Sequence, residues 1–158
     1  MACRLTIIGD FNPELLLLAY GIDLPPERTW QKGEILTKDR ICETSGIQFF
    51  VSKAPRDDYR RQFKEAAAFL WVNKQWLRVI TKDPRVAEGC LDFGLAQDHH
   101  LAYYRRLPLN LIQMAAVCSV EIELSFYAVT GKSEDISQHA KTTEESGETE
   151  KTGADNGS

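Results

Sequence analysis

The sequence predicts an α+β two-layer sandwich: a mainly antiparallel sheet with helices on one face, related to the ferredoxin-like class. Three observations predict it. Short β-branched and aromatic runs recur along the chain, among them Leu5-Thr6-Ile7-Ile8-Gly9 and Gln48-Phe49-Phe50-Val51. Between Asp57 and Pro84 the apolar residues recur at helical spacing. Near the end, Cys118, Val120, Ile122, Leu124 and Phe126 alternate with Ser119, Glu121, Glu123, Ser125 and Tyr127, which describes a long strand with one buried and one wet face.

The elements follow in the order β-α-β-β-α-β-α-β. Leu5 to Gly9 reads as the first strand. Asn12 offers an N-cap oxygen, Pro13 occupies the first helical position and Glu14 favours the positive helix end, so a short helix runs from Pro13 to Tyr20 and stops at Gly21. Pro25-Pro26 forces an extended connection. Thr29 to Leu36 and Ile41 to Ser52 read as two strands with Lys38-Asp39 in the turn. Asp57 or Asp58 caps the long helix. Its apolar residues form two stripes, Tyr59, Phe63, Ala66, Leu70 and Leu77 in one, and Phe69, Val72, Trp76 and Val79/Ile80 in the other. The pair implies either a bend near Asn73 that changes the buried face, which we expect, or an exposed apolar patch. Leu91, Phe93 and Leu95 alternate as a strand, Gln97 to Arg106 reads as a loop, and Pro108 opens a helix to about Ala116.

A chain of 158 residues with 43% apolar and 27% charged content is ordinary for one domain that buries about two-thirds of its unfolded surface without staples. We expect a single α+β domain over residues 1–130 and a disordered acidic tail over 131–158, whose Ser, Thr, Glu, Lys and Gly cannot offset ordering entropy. The net charge of −4 belongs to that tail. It carries seven acids and three lysines, and removing them from 23 acids and 19 bases leaves 16 of each in the body. A neutral body argues against nucleic acid as partner or as the thing mimicked. From Lys53 to Arg85, however, nine bases stand against four acids. No apolar run approaches the roughly 20 residues of a membrane span, and the N-terminus carries no signal-peptide pattern, so the expected location is cytoplasmic. Cys3, Cys42, Cys90 and Cys118 are scattered, with no C-x-x-C pair, and are expected as reduced and mostly buried thiols.

No phosphate loop, nucleophile elbow or metal box occurs. Asp98-His99-His100 is the single histidine cluster of the body, and adjacent histidines point apart unless a loop converges them. We expect a polar loop there, no metal, no cofactor and no catalytic residue. The residues that bear on binding are Trp30, Lys32 and Glu34 in Trp30-Gln31-Lys32-Gly33-Glu34, together with Trp71 on the long helix. A tryptophan beside a cation is the residue pairing enriched at interface hot spots. The structural alternative is an indole covering the sheet edge, Gly33 in a turn and a solvated Lys32.

At Gly9-Asp10 and Asn12-Pro13-Glu14, Gly21-Ile22, and Thr29-Trp30-Gln31-Lys32-Gly33-Glu34, the chain resembles a bacterial family of small proteins catalogued as domain of unknown function 4279. Thr44-Ser45-Gly46, Leu107-Pro108 and Glu123-Leu124-Ser125-Phe126-Tyr127 fit as well, so the resemblance covers about Arg4 to Val129. Where that family commonly has Asp before the proline, this chain has Asn12, which keeps the cap and removes a charge. The resemblance implies the fold and a bacterial origin, and no activity. In size and style the chain is also similar to immunity proteins of bacterial toxin systems. The expected function is a non-catalytic protein-binding module, an immunity protein neutralising a bacterial toxin. The rival is a small-ligand-binding or regulatory domain, followed by an uncharacterised enzyme. The sequence is silent on oligomeric state.

Overall fold

The computed structural model describes residues 3–37, 40–97 and 105–128. In chain order the elements are β1 (Cys3–Gly9), α1 (Pro13–Ala19), β2 (Arg28–Trp30), β3 (Ile35–Thr37), β4 (Arg40–Ile41), β5 (Ser45–Ser52), α2 (Tyr59–Ile80), β6 (Val86–Gln97), α3 (Leu109–Cys118) and β7 (Glu121–Ala128). One sheet has the strand order β2-β5-β1-β6-β7, and β3 pairs with β4 in a separate hairpin. The pairings β2–β5, β5–β1 and β1–β6 are antiparallel, and β6–β7 is parallel. The first four strands therefore interleave two split β-α-β units, β1-α1-β2 around β5 and β5-α2-β6 around β1, as in the ferredoxin-like class. The α3–β7 unit extends that sheet at one edge.

Period-two alternation decides which face is covered. Leu5 opposes Phe49 and Leu91, and Cys3 opposes Phe93. These side chains, with Ile7, Ile47 and Leu95, are buried against Leu16 of α1, Phe63, Ala66, Leu70, Leu77 and Ile80 of α2, and Leu111, Ala115 and Cys118 of α3. Phe63 meets Phe93 edge-on at 4.9 Å between centroids. The other sheet face carries Arg4, Thr6, Gln48, Asp92 and Glu123. Burial fades along β7, from buried Val120 through half-buried Ile122 and Leu124 to Phe126, which is 45% exposed. The inward alternation is thus as the sequence predicts, but an edge strand covered by one short helix cannot bury all of it.

The caps form where the sequence places them. Asn12 Oδ1 accepts from the Leu15 N–H, and Asp58 Oδ1 from the Arg61 N–H. After α1 the N–H of Ile22 donates to Leu17 O and that of Gly21 to Leu18 O, a Schellman closure with Gly21 at φ +58. The end of α3 repeats this closure with Ser119 at φ +53, a position without glycine to announce it. Strands expected over Thr29–Leu36 and Ile41–Ser52 are each broken in two, the first by a turn at Gln31–Glu34 and the second at residues 42–44. Helix α2 is continuous, so the second apolar stripe divides. Trp76 packs 5.4 Å from Phe49, while Val72 and Val79 stay exposed. The buried face does not change at Asn73 as expected, since Phe63, Ala66, Leu70, Leu77 and Ile80 share one side; the Asn73 amide donates to Phe69 O and its Oδ1 accepts from Trp76 Nε1. Cys3, Cys42 and Cys118 are buried, Cys90 is half-buried, and all four are free thiols. Among the described residues no helix is long and apolar enough to cross a membrane. The expected Lys38-Asp39 turn, the residues 98–104 and the tail lie outside the described residues.

At the end of α2 a buried carboxylate ties three elements together. Asp83 accepts from Arg85 Nε (2.9 Å), Arg85 Nη2 (2.6 Å), the Arg85 backbone N–H (2.9 Å) and the Tyr20 hydroxyl (2.6 Å). The Arg85 guanidinium, then the Tyr20 hydroxyl, hold this carboxyl well below the usual carboxylate range.

Two predictions arise here. Leu124→Ala should cost about 1–3 kcal/mol, the lower part of the range for buried leucines because the site is half-open, and Glu123→Ala on the other face less than about 0.5. Equal losses in urea titrations would contradict this register. For Asp83, a folded pKa below the unfolded value of about 4 gives stability that is present above that value and lost as pH falls through the folded one. Asp83→Asn should therefore be weaker than wild type at pH 7, and the gap should close as pH falls from about 5 towards 2. A gap that stays constant across that range would exclude the carboxylate as its cause.

Candidate functional site

The stretch Trp30-Gln31-Lys32-Gly33-Glu34 leaves the edge strand β2 and turns back at once. The Glu34 N–H donates to Gln31 O at 3.0 Å, and Gly33, third in the turn, has φ +87, the conformation a type II turn demands there. A Glu34 carboxylate oxygen accepts from the Gln31 N–H at 2.9 Å. Gly33 N–H donates to Cys42 O, and Cys42 N–H to Glu34 O. The neighbouring Thr44-Ser45-Gly46 completes the arrangement. Ser45 Oγ accepts from the Lys32 N–H at 3.1 Å, and Gly46, directly opposite Trp30, has its missing side chain replaced by the indole. A Cβ at Gly46 would collide with the Trp30 ring. Two motifs that are separate in sequence are thus each other's packing partners.

The stretch beginning at Gly9 meets the same place. Gly9 must lack a side chain because a Cβ would strike Arg85 O, and the next N–H, of Asp10, donates to that oxygen at 2.8 Å. Lys32 Nζ lies 3.7 Å from Asp10 Oδ1, with both side chains largely in water, so the pair adds little to stability. A cavity of about 500 Å³ opens here between Pro13, Glu14, Thr29, Trp30, Gln31 and Lys32. Across the indole a second, of about 750 Å³, is lined by Arg28, Arg40, Ile41 and Gln48 among others. The Arg28 guanidinium stands 5.7 Å from the Trp30 ring. Trp30 is a wall between two open grooves, Glu34 serves the turn, and Lys32 presents its ammonium to solvent.

Trp71 lies elsewhere, on the solvent side of the helix layer. It is 58% exposed, with Val72 at 76% and Val79 at 53% beside it on α2. Lys74 Nζ sits 3.5 Å from the Trp71 ring centroid. The helix carries five cations, Arg60, Arg61, Lys64, Lys74 and Arg78, against the single carboxylate of Glu65, and that one is taken by Arg61 and Ser52. Helix α3 alongside has no charged residue. Thr81 at the end of α2 hydrogen-bonds Cys118 O at the end of α3, so the two helices run side by side in the same direction.

The β6–β7 part of the bare sheet face has the opposite sign. Asp92 and Glu123 are paired neighbours there, as are Cys90 and Glu121, with Glu88 further along β6. Partial burial, then Glu123, Glu88, Asp92 and Glu121, push the Cys90 thiol up to about 11, so it is protonated at neutral pH and is no thiolate nucleophile. Among the described residues no group of three or more His, Cys, Asp and Glu is arranged to hold a metal ion. His99 and His100 fall outside the described residues. No family model, no curated protein and no solved structure matches this chain.

Of the residues singled out from sequence, Trp30, Lys32 and Glu34 come together at one end of the sheet, and Trp71 stands apart on α2. Sequence reasoning missed Ser45 and Gly46 as partners of the turn, and it missed Lys74 as the cation over Trp71, although the i, i+3 spacing held that signal. Gly46→Ala should cost about 1–3 kcal/mol by overpacking. The same change made in Trp30→Ala should cost at least about 1 kcal/mol less, since the two groups share one space. Additive losses in chemical denaturation would show that the indole does not depend on Gly46.

Proposed function

We propose that the protein is a non-catalytic, cytoplasmic module that binds another protein, with a bacterial toxin as the partner and neutralisation as the outcome. The observation that carries the binding reading is the outer face of α2, where Trp71, Val72 and Val79 are exposed on a helix whose opposite face closes the core. A solvent-facing tryptophan flanked by cations has the amphipathic character of an interface anchor. The Trp30 turn is a weaker binding candidate, because its indole, glycine and glutamate already have partners inside the fold. A second reading, a small-ligand or regulatory domain, is favoured by the two grooves beside Trp30, whose volumes fall in the range of ligand sites.

The test is photo-crosslinking from position 72 in the source lysate, followed by affinity measurement on the captured protein. Trp71→Ala should weaken that association by about 30-fold, the size of a hot-spot loss, and leave the melting temperature nearly unchanged. Lys32→Glu should leave both nearly unchanged. Retention of full affinity by Trp71→Ala with loss in Lys32→Glu would move the binding surface to the Trp30 end.

A further inference from the structure

We infer that the segment seated on α2 is an acidic amphipathic helix, one that sets apolar side chains on Trp71, Val72 and Val79 and carboxylates against Lys64, Lys74, Arg78 and Lys82. This rests on the protein-binding reading and adds the chemistry of the partner. The body of the protein is neutral in sum but divided in space. Cations gather on the helix layer, and Glu88, Asp92, Glu121 and Glu123 lie on the bare face of the sheet. Lys64, Lys74, Arg78 and Lys82 have no carboxylate partner among the described residues, in contrast to Arg61 and Arg85 on the same segment. An unpaired cation beside exposed apolar surface is the complement of an acidic partner, and such complementarity sets both encounter rate and partner choice.

The geometry favours a helix. On the outer side of α2, Lys64, Ala68, Trp71, Gln75 and Val79 follow one another at spacings of four, three, four and four, with Val72 next to Trp71 and Lys82 just past the helix end. Such a face on one continuous helix, about 33 Å long, accepts an antiparallel or parallel helix by ridge-into-groove packing. A second copy of the chain is disfavoured, since α2 against α2 would set five cations against five. A membrane plane resting on the helix layer would also touch α3, which contributes no cation to anionic headgroups.

The test uses the full chain and two synthetic 20-residue peptides with one leucine pattern at helical spacing, flanked by glutamates in the first and by lysines in the second. Fluorescence anisotropy should show binding of the glutamate peptide, at least tenfold weaker binding of the lysine peptide, and weakening of the first as salt is raised. Lys74→Glu with Arg78→Glu should cost the glutamate peptide about tenfold or more, and Trp71→Ala a similar factor, with the circular dichroism melt checking that each variant is folded. Equal affinity for both peptides overturns the acidic assignment. If Trp71→Ala then still weakens both, the face remains a protein-binding surface. If Trp71→Ala is also without effect, the binding reading of α2 falls with it. Binding to phosphatidylserine vesicles without binding to either peptide overturns the proposal in favour of a lipid surface.

Discussion

The structure depends on one constraint, the burial of a single face of the sheet. Strand β1 lies in the middle with a hydrogen-bonded neighbour on each side, and its inward residues Cys3, Leu5 and Ile7 are closed off from water by Phe49, Leu91 and the α2 side chains. Period-two alternation then sends Arg4, Thr6 and Ile8 to the other side, and nothing in the sequence of β5, β6 or β7 supplies an apolar row to cover them. A two-layer architecture follows from that asymmetry. So does the presence of two large solvated surfaces, one on the sheet and one on the helices, each free to carry charge.

Much of this was legible in the sequence because the signals were local. Asn12-Pro13, Gly21 and Asp58 mark helix ends through their own backbone preferences, and the structure uses them so. The alternation around Leu124 gives the right face for the strand. What could not be read was long-range or compensated. Gly46 owes its identity to an indole sixteen positions earlier in the chain. Ser119 adopts a left-handed conformation that glycine would have announced, held by the Ala115 and Ala116 carbonyls. Gln62, a polar residue on the buried side of α2, reaches Pro55 O and Gly94 O with its amide, so it joins a loop to β6 from a position a periodicity argument treats as an interruption. The two apolar stripes on α2 failed as evidence for a change of buried face because periodicity reports which residues share a side, not how wide the covered side is.

The candidate site was legible in part for the same reason. Trp30, Lys32 and Glu34 drew attention as an unusual cluster, and proximity in space is real for them. Their chemistry is mostly absorbed by the fold, since a tryptophan over a glycine and a glutamate capping its own turn are packing and hydrogen-bonding solutions to ending an edge strand. A short edge strand that folds back immediately also leaves little backbone open to pairing with another chain.

Trp71 presents the converse case. It belongs to no stripe, so no pattern explains it, and in the fold it stays 58% exposed. Burying its ring on a partner would release apolar surface from water at about 25 cal/mol per Å², whereas in the isolated domain the ring is more than half exposed, with Lys74 over it. Lys74 has no carboxylate of its own among the described residues, so the contact leaves its charge available to a partner. Exposed apolar surface and uncompensated cations on one helix impose the same requirement from two sides, while Glu88, Asp92, Glu121 and Glu123 were placed by strand alternation on the far face of the sheet.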